Sequence, residues 1–231
     1  MSYLFMITMF RLFNLFAGHR PSRIGSSRLP RTGGAVLAVN HTSYVDFGYI
    51  GLSAYTVDKR QLRILAKAEL ANNPILRFLM KGCGVIPVDR AAGGDAYLAA
   101  VEQLRAGEIV AVYPEATISL SLEIKELKSG AARMALEAGV PIIPSIVWGS
   151  QRIAPKGAAK HLGRTKTPVM VAVGDPIQPI GSVNEMTQIL AAAMTRLLHE
   201  VQDAYGPHPH GEPWVPARLG GSAPTPEEAA S

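Results

Sequence analysis

The sequence is poor in cysteine and lacks the features on which cysteine-based folds and metal centres depend. Cys83 is the only cysteine among 231 residues, so no internal disulfide can form, and this usage is typical of a reducing compartment. The six histidines do not combine with Cys83 in a spacing known for metal ligands. These absences exclude a small disulfide-stapled secreted fold, and we expect neither a metal ion nor another cofactor.

Charged residues are also scarce, at 18% of the chain, whereas hydrophobic residues make up 48%. This balance excludes a largely disordered chain, and 231 residues suit a single large α/β domain with a substantial core. The net charge is +5, but the basic residues are not interleaved with aromatic side chains and no DNA- or RNA-binding motif occurs. We therefore do not expect a nucleic-acid partner.

No apolar run at the N-terminus is long enough to cross a bilayer. Residues 4–16 are almost all apolar, but a helix of about 16 residues extends only about 24 Å against a hydrocarbon core of about 30 Å. Several arginines follow within residues 20–31, a pattern typical of an anchor in the membrane interface beside anionic lipid. The alternative is a helix packed on the domain's own core. We expect residues 1–31 to form a membrane-associating helical segment that attaches the protein peripherally to the cytoplasmic face of the cell membrane.

Residues 32–204 alternate between short apolar runs and segments with helical periodicity. This alternation predicts an α/β domain, with a mixed, largely parallel sheet covered by helices. Pro87 indicates an edge strand, and residues 205–231, rich in Pro, Gly and Ala, are predicted to be disordered. The predicted strands are 35–39, 62–66, 85–88, 109–113, 142–147 and 169–173, and the predicted helices are about 45–52, 73–81, 95–106, 129–138 and 184–204.

One polar segment, residues 40–46, joins the first predicted strand to the helix that follows it. Thr42 or Ser43 is the expected N-cap of that helix, which places His41 at the carboxyl end of a strand, where ligands collect in α/β sheets. If Asp46 lies in the first helical turn, its carboxylate can fix the tautomer of His41 and leave the other ring nitrogen as a base. The alternative is a structural histidine near an aspartate that the helix dipole favours.

No serine nucleophile motif accompanies this histidine. The Gly-x-Ser-x-Gly elbow of covalent hydrolases does not occur, since the segment that begins at Gly51 has Tyr55 at its last position. Cys83, between two glycines, could act as a nucleophile with His41. We favour a structural role for this small residue with apolar neighbours.

Four blocks of residues follow one another in a fixed order. They are Asn40-His41-Thr42-Ser43-Tyr44-Val45-Asp46, Gly84-Val85-Ile86-Pro87-Val88-Asp89-Arg90, Tyr113-Pro114-Glu115-Ala116-Thr117-Ile118-Ser119 and Val140-Pro141-Ile142-Ile143-Pro144. In this order the chain resembles, from about residue 1 to 204, the glycerophospholipid acyltransferase family, nearest to the 1-acyl-sn-glycerol-3-phosphate acyltransferases. The resemblance implies a glycerol-3-phosphate acyltransferase-like fold with a membrane-interfacial N-terminal helical segment.

The resemblance also implies roles for single residues. His41 matches the family's catalytic base and Asp46 the residue that orients it, while Lys67 and Arg90 match positions that bind the acceptor's phosphate. The third block helps to bind the acceptor's glycerol phosphate in the family. Its matching residues here are Glu115, Ala116 and Thr117.

The third block departs twice from the family's usual Glu-Gly-Thr-Arg-Ser. Ala116 stands in place of glycine, and because alanine at positive φ costs about 1 kcal/mol, we expect this turn to be built differently. Ile118 stands in place of arginine and cannot offer phosphate a bidentate guanidinium. Either another cation replaces it, with Lys125 and Lys128 as candidates, or the acceptor is not a simple phosphomonoester.

A basic stretch over residues 152–166, here called the basic loop, follows the fourth block. It is either a solvated loop or a surface that meets lipid headgroups. Its basic residues are Arg152, Lys156, Lys160, His161, Arg164 and Lys166.

The resemblance implies an O-acyltransferase that moves a fatty acyl group from an acyl thioester to the hydroxyl of 1-acyl-sn-glycerol-3-phosphate or a related lysophospholipid. A thioester is already activated, so a base such as His41 suffices, with backbone N–H groups after His41 as the expected oxyanion donors. The alternatives are a glycerol-3-phosphate or glycolipid acceptor, or a catalytically decayed lipid-binding membrane protein. The expected partners are the membrane surface, the acceptor and the donor, acyl-CoA or acyl-carrier protein, as co-substrate.

Overall fold

A central sheet of seven strands organises the computed structural model, which describes residues 3–88 and 93–230. The strand order is β1-β7-β6-β2-β5-β3-β4, and all neighbours are parallel except β6 and β7. The mixed, largely parallel sheet predicted from the sequence is confirmed, with β4 at the edge. The strands are β1 (Arg20–Ile24), β2 (Ala35–Val39), β3 (Leu62–Lys67), β4 (Ile86–Val88), β5 (Ile109–Val112), β6 (Ile142–Trp148) and β7 (Pro168–Val173).

Helices cover both faces of this sheet. One core packs α4, α5 and α6 against the sheet, and the other packs α2 and part of α1 against the opposite face. Strands covered on both faces need apolar side chains throughout, which explains why β2, β5 and β6 are uninterrupted buried runs. The helices are α1 (Tyr3–Ala17), α2 (Asp46–Thr56), α3 (Pro74–Gly82), α4 (Gly93–Arg105), α5 (Gly130–Ala138), α6 (Val183–Tyr205) and α7 (Pro226–Ala230).

The strand β2 lies at the centre of the sheet and positions the site. It pairs in parallel with β5 on one side and with β6 on the other. The carboxyl ends of these three strands therefore meet at the same edge of the sheet, which is where an open α/β sheet presents its ligand-binding groups.

The N-terminal helix α1 packs one face on the domain and leaves the other exposed. Tyr3 and Ile7 are buried, and the rings of Phe10 and Tyr49 meet edge to face with centroids 5.0 Å apart. Within residues 3–88 and 93–230, no helix has the length and apolar content needed to span a bilayer. The outward-facing apolar side chains of α1 are Leu4, Phe5, Met9, Leu12, Leu15 and Phe16.

A strand that the sequence analysis missed, β1, follows α1 within residues 1–31. It pairs in parallel with β7 and adds an edge to the sheet, so this segment is not solely helical. Four of its five residues are exposed. A polar edge strand lacks the alternating apolar pattern from which strands are recognised.

The C-terminal segment, residues 206–230, packs on the domain, and the prediction of a disordered tail is wrong for these residues. Val215 is fully buried, and the guanidinium of Arg152 lies 4.2 Å from the ring centroid of Trp214. Arg218 bonds both Glu123 and Gln202. A few large side chains thus anchor a segment whose average composition is that of a linker.

A glycine at the end of β6 fixes the direction in which the chain leaves the sheet. Gly149 has φ +95°, and a Cβ there would lie 2.3 Å from the carbonyl oxygen of Pro168. Gly139, the residue after α5, has φ +68° with no atom within 4 Å of a Cβ. Alanine substitutions at these two positions therefore distinguish the cost of backbone strain from the cost of a steric conflict.

We predict that Gly149→Ala lowers the free energy of unfolding by more than Gly139→Ala does. Strain from positive φ alone costs roughly 1 kcal/mol, whereas the conflict with Pro168 adds roughly 1–3 kcal/mol. Urea unfolding of the two variants and the wild type measures both values. Equal losses would show that the turn after β6 adapts to a side chain.

Candidate active site

The candidate active site forms where β2, β5 and β6 end side by side. The segment after β2, residues 40–46, is called the His41 turn below; Glu115 follows β5, and Ser150 follows β6. The side-chain amide of Asn40 bonds the backbone N–H and C=O of Val147 on β6, at 2.7 and 3.2 Å. The sheet thus fixes the start of the turn on which His41 lies.

His41 and Asp46 are in contact, as the sequence spacing predicts. The distance between His41 Nδ1 and Asp46 Oδ2 is 3.0 Å. The acceptor carboxylate requires a proton on Nδ1 in the neutral ring, which leaves Nε2 with the lone pair. Within residues 3–88 and 93–230 no group bonds Nε2, and the His41 side chain is 21% exposed. One ring nitrogen is therefore held by Asp46, and the other has no hydrogen-bond partner among the described residues.

The carboxylate of Asp46 is fully buried and accepts four hydrogen bonds. Besides His41, the backbone N–H groups of Thr42 and Ser43 donate to Oδ2, each at 2.9 Å. The hydroxyl of Ser150 donates to Oδ1 at 2.5 Å. These bonds satisfy a charge whose burial would otherwise be very unfavourable.

These contacts correct two expectations about the His41 turn. Val45, without a side-chain hydrogen bond, is the N-cap of α2, since the N–H groups of Thr42 and Ser43 turn toward Asp46. The same N–H groups were the expected oxyanion donors, but Asp46 already occupies them. The next one, from Tyr44, donates to the carbonyl of Ala154 at 3.0 Å. The backbone N–H groups of Thr42, Ser43 and Tyr44 are therefore already hydrogen-bonded within the protein.

The ring of Tyr113 lies against the imidazole of His41. The two rings are stacked, with centroids 4.1 Å apart and an interplanar angle of 23°. Burial, and secondarily the charge of Asp46, raises the pKa of Tyr113 well above its usual value, so its hydroxyl stays protonated. Tyr113 therefore supports the plane of the base without adding a charge beside it.

Glu115 holds the backbone of the His41 turn. Its Oε1 accepts the N–H of His41 at 2.9 Å, and its Oε2 accepts the N–H of Lys125 at 3.3 Å. The carbonyl of His41 in turn accepts the N–H of Ser119 at 2.7 Å. Only 3% of Glu115 is exposed. Both of its carboxylate oxygens accept hydrogen bonds from the backbone of the site.

The third block keeps the conformation of a glycine turn despite its alanine. Ala116 has φ +60°, so our expectation of a differently built turn is wrong, and the chain accepts the strain. Ile118 is buried, while the ammonium of Lys125 donates to the Thr117 hydroxyl at 2.6 Å. Lys125 is thus next to the block, whereas Lys128 is exposed.

Three further residues were singled out from the sequence, namely Lys67, Arg90 and Cys83. Lys67 is the last residue of β3, and Arg90 lies outside the described residues. Cys83 lines a groove with Tyr3 and Ile7 of α1, and burial raises the pKa of its thiol. A protonated thiol in an apolar groove is a poor nucleophile, which favours the structural role.

A cavity of about 720 Å³ opens beside Thr42, the residue after His41. Its lining includes Ile118 and Leu122, residues of the basic loop, and Trp214 with Pro224 of the C-terminal segment, but not His41 itself. A mostly apolar lining that includes cations suits an amphipathic molecule with a hydrocarbon chain and an anionic group. Lys156 and Arg152 are the cations of the basic loop that line it, and His161 of the same loop lines it too.

Two residues of this site were missed by the sequence analysis. Tyr113 was read only as part of a block, although its place directly after β5 is a signal for the site edge. Ser150 had no signal beyond its place after the predicted strand 142–147. Their contacts to His41 and Asp46 join segments more than 70 residues apart, which no local pattern reveals.

We predict that Glu115 makes stability depend on pH. Burial raises the pKa of Glu115 from 4.5 to about 7, so the folded state favours the protonated form and loses this advantage as pH rises through about 7. Relative to Glu115→Gln, the wild type should therefore lose about 2–3 kcal/mol of unfolding free energy between pH 5 and 8. Urea unfolding at several pH values measures the difference, with the exposed Glu126→Gln as control. Parallel pH curves for wild type and Glu115→Gln would contradict the prediction.

The comparisons with known proteins agree with this geometry. The family model described as acyltransferase matches residues 22–148. An uncharacterised acyltransferase of Schizosaccharomyces pombe is 32% identical over 183 residues, which are 74% of this chain and 62% of that protein. A 1-acyl-sn-glycerol-3-phosphate acyltransferase of Borreliella burgdorferi is 24% identical over 169 residues, 71% of this chain and 65% of that protein. The chain thus spans less than two thirds of the length of these relatives.

A solved structure shares the fold. The crystal structure of a 1-acyl-sn-glycerophosphate acyltransferase from Thermotoga maritima superposes with a TM-score of 0.67 at 20% sequence identity, over 86% of this chain and 81% of that one. The family model covers more than half of the chain and ends at the last residue of β6. On this match, the chain belongs to the acyltransferase family.

Proposed function

We propose that this protein is an O-acyltransferase that moves a fatty acyl group from an acyl thioester to the hydroxyl of 1-acyl-sn-glycerol-3-phosphate or a related lysophospholipid. The observation that carries the proposal is the contact between His41 Nδ1 and the buried carboxylate of Asp46, at 3.0 Å, with no hydrogen bond to the other ring nitrogen among the described residues. The family membership and the cavity beside Thr42 support it.

In the proposed reaction His41 Nε2 removes the proton from the acceptor hydroxyl as its oxygen attacks the thioester carbonyl. Asp46 stabilises the imidazolium that forms, and three further hydrogen-bond donors fix the position of its carboxylate. When the tetrahedral intermediate collapses, the carbon–sulfur bond breaks and His41 returns the proton to the thiolate. The reaction needs no covalent acyl-enzyme, in keeping with a site where Cys83 lies in a separate groove.

This chain lacks the arginine that the family's third block usually offers to the anionic group of the acceptor. Ile118 is buried in the cavity wall at that position, so a phosphate must find other cations. Lys156 and Arg152 line the same cavity from the basic loop, and Lys125 lies beside Thr117. This arrangement favours an acceptor whose phosphate sits away from the third block. It also favours, as a second candidate, an acceptor with a different or missing phosphate, such as a glycolipid hydroxyl.

We further propose that the outer face of α1 lies in the membrane interface on the cytoplasmic side of the cell membrane. Leu15 and Phe16 are 78% and 72% exposed, and exposed apolar surface of this kind marks interaction sites. Arg20 and Arg23 follow on exposed positions of β1, and the N–H of Lys166 bonds the last residue of α1. Cations beside an apolar helix face are the pattern of interfacial binding to anionic lipid.

We predict that purified protein transfers an acyl group from acyl-CoA or acyl-carrier protein to 1-acyl-sn-glycerol-3-phosphate, and that His41→Ala lowers this activity at least about 100-fold, since the variant has no base. A radiolabelled donor and chromatography of the lipid products measure the transfer. The exposed His210→Ala is the matched control and should retain wild-type activity. An active His41→Ala variant would refute the mechanism.

The same assay with a panel of acceptors distinguishes the candidate substrates. The panel pairs 1-acyl-sn-glycerol-3-phosphate with lysophospholipids, glycerol-3-phosphate and a glycolipid that has no phosphate. Turnover only on the phosphate-free acceptor would replace the first candidate by the second. Binding of every lipid without transfer by any donor would favour a catalytically decayed lipid-binding protein.

We predict that replacing Leu12, Leu15 and Phe16 together by serine lowers binding to vesicles of anionic phospholipid about 10-fold or more, because each exposed side chain contributes buried apolar area in the interface. Cosedimentation with the vesicles measures the bound fraction. The control triple variant replaces Leu98, Ile180 and Ile189, which are exposed elsewhere, by serine and should bind like the wild type. Equal losses in both variants would contradict the assignment of α1.

A further inference from the structure

The two oxygens of the Asp46 carboxylate have very different surroundings. Oδ2 accepts three hydrogen bonds, all from the His41 turn itself, namely from His41, Thr42 and Ser43. Oδ1 accepts one hydrogen bond among the described residues, from the hydroxyl of Ser150 at 2.5 Å. Both side chains are fully inaccessible to solvent, so bulk water does not reach this oxygen in the folded protein.

The turn after β6 is built to bring Ser150 to that oxygen. Gly149 leaves the strand with φ +95° in a space where a side chain would meet the Pro168 carbonyl. Its N–H donates to Oε1 of Gln151 at 2.8 Å, which closes the turn. Ser150 therefore enters a short 3₁₀ segment, Ser150–Arg152, whose first side chain points at the start of α2.

Ala154, two residues after this segment, also holds the middle of the His41 turn. The carbonyl of Ala154 accepts the hydroxyl of Ser43 and the N–H of Tyr44, both at 3.0 Å. Ser150 thus belongs to a stretch that fixes the turn at two places. This stretch begins just after the residues that the family model matches.

We propose that Ser150 is a positioning residue for the reaction: its hydroxyl fixes the rotation of the Asp46 carboxylate and, through it, the orientation of the His41 ring. The proposal rests on the proposed function for its kinetic consequences. Without the hydroxyl, Oδ1 is a buried acceptor with no donor, and the carboxylate turns toward other donors. Small displacements of a catalytic group lower the rate of the chemical step without changing substrate binding.

The test compares Ser150→Ala with two matched variants. We expect Ser150→Ala to lower kcat roughly 10-fold or more while the KM values for donor and acceptor stay within about twofold of the wild type, because Ser150 does not touch substrate. Ser150→Thr keeps the hydroxyl and should retain most of the activity. Ser53 lies on the same face of α2, two turns after Asp46, is equally buried, and its hydroxyl has no partner among the described residues; Ser53→Ala should be unchanged.

A double-mutant cycle separates positioning from packing. In the Asp46→Asn background, Ser150→Ala should cost little further activity, because its effect passes through the carboxylate. Equal losses from Ser150→Ala and Ser150→Thr, a loss that appears in KM, or a full loss in the Asp46→Asn background would each overturn the proposal.

A spectroscopic measurement tests the proposal separately from the proposed function. The Nδ1–H proton of His41, observed by NMR, should shift in Ser150→Ala and stay in place in Ser53→Ala. If the wild type transferred no acyl group to any acceptor, the proposed function would fail, and this resonance alone would decide the role of Ser150. An unshifted resonance in a folded Ser150→Ala variant would overturn that role.

Discussion

The site depends on one buried negative charge. The carboxylate of Asp46 is removed from water and is stable there only because four donors surround it. Three of these donors lie in the turn that precedes Asp46, and the fourth comes from the end of a neighbouring strand. The charge therefore dictates the shape of the His41 turn, and that shape in turn presents the imidazole.

A second buried acid, Glu115, supports the same turn from the opposite side. It accepts the N–H of His41, while Ser119 from the same loop donates to the His41 carbonyl. Hydrogen bonds thus hold both the backbone N–H and the backbone C=O of His41. Because the sheet brings β5 and β6 to either side of β2, each neighbouring strand supplies one such support.

The candidate active site and the exposed apolar face belong to different parts of the molecule. The polar network lies at the carboxyl ends of the central strands, whereas the exposed apolar face belongs to α1, which packs against α2. Asp46, which orients the base, is the first residue of α2. The helix α1 packs against this same helix.

The sequence alone determined the order of strands and helices through the core, because continuous apolar runs and helical periodicity are local properties. It also indicated that His41 could pair with Asp46, on the condition that the turn into the helix falls between the two residues, and Asp46 is indeed the first residue of α2. Only the tertiary structure decided the rest. The edge strand β1, the packed C-terminal segment and the contact of Ser150 with Asp46 rest on partners between about 60 and 150 residues away, and the free energy of such contacts is not visible in the residues on either side of them.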